Sequence, residues 1–97
     1  MQRREEQLLI TAELALDALA LSRAMIDGDF QESRFRTRLI ATRAPAAGMK
    51  DVAQAAADVI ALLGPAGTLP LPGCGQAIAQ LAASLDDAQL RLLSGSA

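Results

Sequence analysis

Apolar residues recur at intervals of three and four along the first quarter of the chain, the spacing of a helix rather than a strand. The pattern predicts a helix over about residues 3–27, ended by the Asp27-Gly28-Asp29 turn. Around this helix the apolar residues form two stripes. The first stripe contains Leu8, Leu9, Ala12, Ala15, Leu16, Leu19 and Ile26, and the second contains Ile10, Leu14, Ala18, Leu21 and Met25. A helix on the surface of a bundle needs only one apolar stripe, so this helix has a second one to cover.

Three further helices are predicted over about residues 29–43, 49–63 and 75–93. Asp29 is a suitable N-cap for the second, which is expected to stop near residue 43 because proline at position 45 disfavours helix in the residue before it. A new helix is equally compatible with Pro45, since proline is tolerated in a first turn. Residues 64–75 hold four glycines and three prolines and are predicted to form a connecting loop, attached to the bundle by Leu69 and Leu71. Residues 94–97 are predicted to be a frayed tail.

These elements predict a single all-α domain over residues 1–97, an antiparallel four-helix bundle. Composition supports the prediction, because alanine and leucine dominate and the only aromatic residues are Phe30 and Phe35.

Several classes of function are disfavoured by composition. The chain has no histidine and one cysteine, so we expect no metal site, no cofactor and no enzyme activity. A net charge of −2 argues against a nucleic-acid partner. No apolar run is long enough to span a membrane, and Glu13 and Asp17 interrupt any signal-peptide-like segment. A lone cysteine fits a reducing compartment, so a cytoplasmic location is expected.

The second predicted helix is rich in arginine. Arg34, Arg36, Arg38 and Arg43 are interpreted either as a solvated surface balanced by nearby acids or as a docking patch for an acidic protein or a phosphate group. Cys74 also has two interpretations. The start of a helix lowers the pKa of a thiol and so favours reactivity, whereas a single cysteine is commonly a small packing residue.

A set of spaced residues lies between Met25 and Val59: Gly28 and Asp29 at a turn, Arg38 ten residues after the glycine, then Ile40, Ala41, Thr42 and Gly48. The spacing resembles the middle of a histidine-phosphotransfer (HPt) domain, with Arg38 in the place of the phospho-accepting histidine and Ala41 and Thr42 in the places of lysine and glycine. The resemblance implies a four-helix bundle with a receiver-docking face around Arg38. Because the histidine is missing, phosphotransfer itself is not implied.

The sequence therefore predicts a non-catalytic interaction or signalling-adaptor module, with a pseudo-phosphotransfer protein as one form of it. The alternative is a regulatory bundle that binds a small ligand between its helices. Homodimerisation is predicted through the second stripe of the first helix: Ile10, Leu14, Ala18, Leu21 and Met25.

Overall fold

The computed structural model describes residues 3–95, and within that range it contains four helices and no strand. They are α1 (Arg3–Ile26), α2 (Phe30–Ala46), α3 (Lys50–Leu63) and α4 (Cys74–Leu93). The predicted all-α four-helix fold is confirmed. Each helix contacts two neighbours, in the order α1–α2–α3–α4 around a closed ring 45 Å long and about 20 Å wide. The predicted frayed tail at 94–97 lies partly outside the described residues.

The same tight turn joins α1 to α2 and α2 to α3. In the first, Asp29 N donates to Ala24 O at 2.8 Å and Gly28 N donates to Met25 O at 3.2 Å. In the second, Met49 N donates to Ala44 O and Gly48 N to Pro45 O. This pair of bonds is the Schellman motif, and it needs a left-handed residue at the position that Gly28 and Gly48 occupy. The start of α1 lies beside the end of α2, where Gln7 Nε2 donates to Ala47 O, and the start of α2 lies beside the end of α3, where Arg34 donates to Leu63 O.

Helix α2 ends three residues later than the sequence predicted. Pro45 lies inside its last turn, and the helix continues through it to Ala46. The expectation that helix would stop before Pro45 was wrong because the Schellman turn at Gly48 determines where α2 ends. In that turn the N–H of Ala47 donates to the carbonyls of Arg43 and Ala44. The predicted start of a new helix at Pro45 is not observed.

The core lies along the axis of the bundle and contains large side chains from every helix, among them Leu21, Ile40, Val59 and Leu81. It also contains most of the stripe that was predicted to form a dimer interface. Leu14, Ala18 and Leu21 are buried, and Ile10 and Met25 are partly buried against the same cluster. That prediction is wrong, because this stripe fills the interior of the chain's own bundle and is not available to a partner.

The loop between α3 and α4 is not attached by its leucines. Leu69 and Leu71 are both mainly exposed, contrary to expectation. The loop is held instead by polar bonds, including one from Leu71 N to Leu62 O. Among residues 3–95, no helix is long and apolar enough to cross a membrane.

Candidate interaction site

The four arginines predicted as one docking patch point in three different directions. Arg34 is 7% exposed and lies across the end of α3. Its guanidinium donates to the carbonyls of Leu63 and Gly64, both at 3.0 Å, and to Thr68 O in the loop at 2.6 Å. A positive charge stabilises the carbonyl end of a helix, so Arg34 closes α3 and fixes the loop. It does not belong to a docking surface.

Arg36 and Arg43 point toward α1. Arg36 bonds Glu32 at 2.7 Å and Asp17 at 2.9 Å, and the pKa of Arg36 is raised by the hydrogen bond to Glu32 and then by that to Asp17. Arg43 pairs with Glu13 and approaches Asp17 at 3.8 Å. These ion pairs orient α1 against α2, and both arginines are occupied by them.

Arg38 alone of the four points outward with no hydrogen bond or ion pair to any of the described residues. It lies on the exposed side of α2, three residues after Phe35, which is itself 52% exposed and has the Arg36 guanidinium 5.7 Å from its ring centre. Only Arg38 of the predicted patch is therefore available to a partner.

The Cys74 thiol does not have the properties of a nucleophile. It is 3% exposed, packs in the core cluster, and burial raises its pKa. Desolvation thus outweighs the helix-start effect that the sequence suggested, and the packing interpretation is supported. Within the part of the chain that the structure describes, no group of three acidic or cysteine side chains is placed to hold a metal ion.

Two open clefts lie along the α3–α4 side of the bundle. One, of about 430 Å³, lies beside the start of α3 and is lined by Gln7, Lys50 and Arg91 among others. The other, of about 540 Å³, lies between the end of α3 and the start of α4. Both clefts are at the surface and have about as much polar as apolar lining, unlike the mostly apolar pocket that binds a small ligand.

The outward face of α1 carries a row of exposed apolar side chains that belong to the first of the two predicted stripes. Four of its side chains are between 51% and 84% exposed: Leu9, Leu16, Leu19 and Ile26. Together with Ala12 they are spaced three, four, three and seven residues apart, the spacing of a coiled-coil seam in which position 23 is not apolar. Burial of each of the four leucine and isoleucine side chains by a partner would contribute about 1–2 kcal/mol to the free energy of association.

Two charged residues continue the same line. Glu5 lies four residues before Leu9, and Arg23 lies between Leu19 and Ile26. Both are exposed, and neither forms an ion pair with any residue from 3 to 95. We call the line of Glu5, Leu9, Ala12, Leu16, Leu19, Arg23 and Ile26 the α1 face. The apolar members of the α1 face were predicted as a stripe from the sequence, but the two charges were not assigned to it. The sequence signal for them is that they continue the three-four spacing of the apolar residues.

No protein-family model matches this chain, and neither a curated protein nor a solved structure matches it.

Proposed function

We propose that this protein is a non-catalytic interaction module and that the α1 face is its docking surface. The observation that carries the proposal is the row of exposed leucine and isoleucine side chains along one full helix. Soluble proteins rarely leave such a contiguous apolar line in water unless another molecule covers it. The coiled-coil spacing indicates that the covering element is itself a helix, because two helices interlock at this period.

Several of the other groups that could carry a function are engaged inside the fold. The bundle's own core is complete without it, since the second stripe of α1 fills the interior. Three of the four arginines on α2 are engaged within the fold, and the only thiol is buried. Since the α1 face is not needed to complete the core, we assign it the role of binding a partner.

Site-specific photo-crosslinking in the cells that make the protein tests this proposal. A diazirine-bearing apolar amino acid replaces Leu16 on the α1 face or, as the matched control, Ala57 on the exposed side of α3. We expect irradiation to trap a protein adduct, with any partner including a second copy, from position 16 and not from position 57. Adducts at neither position, or equally at both, would overturn the proposal.

Arg38 supports a second candidate function, the docking of a receiver-like domain on α2. Its support is that Arg38 is exposed, with the exposed Phe35 three residues before it on α2, at the place that the HPt resemblance indicates. Titration with a receiver domain should give binding that is lost in Arg38→Glu and kept in Arg91→Glu, a reversal on the exposed side of α4. Equal binding by both variants would contradict it, as would no binding by the wild type.

A further inference from the structure

We propose that the occupant of the α1 face is the α1 face of a second copy, held antiparallel, with Glu5 of each protomer beside the partner's Arg23. This inference rests on the docking surface proposed above and names its partner. It is carried by the charges at the two ends of the apolar line, which are opposite in sign and have no ion-pair partner among residues 3–95.

A twofold axis at the level of Leu14, near the middle of α1, brings the two faces into register. Three kinds of layer then form: Glu5 with the partner's Arg23, Leu9 with the partner's Leu19, and Ala12 with the partner's Leu16. The central layers place a small side chain against a large one, which lets the helices approach closely. Each end of the interface is closed by an ion pair between opposite charges.

Other arrangements of the same two faces leave their charges unmatched. Parallel pairing places Glu5 against Glu5 and Arg23 against Arg23, so like charges meet at both ends. An antiparallel pairing shifted by one heptad sets Arg23 against the partner's Ala12 and moves Glu5 beyond the paired segment. The positions of the two charges therefore select one orientation and one register.

Two acidic residues of α1 near the face are already engaged within the fold. Glu13, on its flank, forms an ion pair with Arg43, and Asp17 is engaged by Arg36. Glu5 and Arg23 are the charges that lie in the line of the face itself.

A charge-reversal cycle followed by sedimentation equilibrium tests the proposal. The wild type is compared with Glu5→Arg, Arg23→Glu and the double reversal. Either single reversal sets like charges together at both ends of the interface, and we expect it to raise the dimer dissociation constant about tenfold. The double reversal restores opposite charges and should return the constant to within about threefold of the wild type.

Asp51→Arg is the matched control, because it carries an acid-to-arginine reversal in the first turn of a helix but lies on α3, away from the α1 face. It should leave the dissociation constant unchanged, and circular dichroism of every variant should show the helicity of the wild type. A double reversal that fails to recover association overturns the antiparallel register. So does a dimer that is indifferent to all three changes.

A wild type that remains monomeric up to millimolar concentration overturns self-pairing altogether. That outcome is distinct from failure of the proposed function. If a different protein is crosslinked from position 16, the α1 face is still a docking surface and only self-pairing is overturned. If no adduct forms, both proposals are overturned.

Discussion

At the scale of single residues, the role of a charged side chain is set by what it lies against. Arg34 and Arg38 are four residues apart on the same helix, yet one is buried among carbonyl oxygens and the other is exposed. The carbonyls of Leu63 and Gly64 end α3 and need donors that the helix cannot supply. Arg34 supplies them and joins three elements: α2, α3 and the loop.

Replacing Arg34 with alanine should therefore destabilise the fold. The substitution leaves buried carbonyls without a charged donor, and we expect a loss of about 2–3 kcal/mol in the free energy of unfolding. For a domain of this size that corresponds to a fall of about 10–20 °C in melting temperature. Arg38→Ala, the control, should change stability by no more than about 0.5 kcal/mol in the same thermal melts. Similar effects of the two substitutions would refute the structural role of Arg34.

At the scale of the element, α1 carries two apolar stripes, one buried in the core and the other exposed on the surface. Leu14→Ala removes a fully buried side chain and leaves a cavity, so it should cost about 2–5 kcal/mol. Leu16→Ala removes a side chain that is 67% exposed and should cost less than about 1 kcal/mol when the protein is dilute. Urea unfolding at low protein concentration measures both. Comparable losses would mean that the two stripes are buried alike.

The helices and their order could be predicted from sequence, because three-four periodicity and the Gly28 turn are local signals. Which stripe of α1 faces the core could not be predicted from periodicity, since both stripes have helical spacing. The charged residues near each stripe decide which one is buried. Burying the first stripe would desolvate Glu5 and Arg23, which lie in its line, whereas burying the second lets Asp17 pair with Arg36 on α2.

The arginine patch was mispredicted for a related reason. Sequence spacing tells which residues share a side of α2, but not which neighbouring element each side meets. Arg34 meets the end of α3 and Arg36 meets α1, and both contacts depend on how the bundle closes. The sequence indicated the α1 face only by showing that α1 has one apolar stripe more than a bundle helix needs.

At the scale of the whole molecule, the α1 face extends along most of the bundle. Helix α1, with 24 residues, spans about 36 Å of the 45 Å length at the rise of an α-helix. A twofold axis at the middle of such a helix lays two bundles side by side along their full length. Pairing at one end of the bundle would instead produce a rod nearly twice as long.

Small-angle scattering distinguishes these shapes. One chain has a radius of gyration of 13.4 Å, and two laid side by side at a spacing equal to the bundle's width should give about 17 Å. Leu16→Glu should return the value to that of the single chain, because two carboxylates would meet small apolar side chains at the centre of the interface. The control Ala57→Glu, on α3, should keep the paired value. A radius above about 20 Å would indicate end-to-end association and exclude pairing along α1.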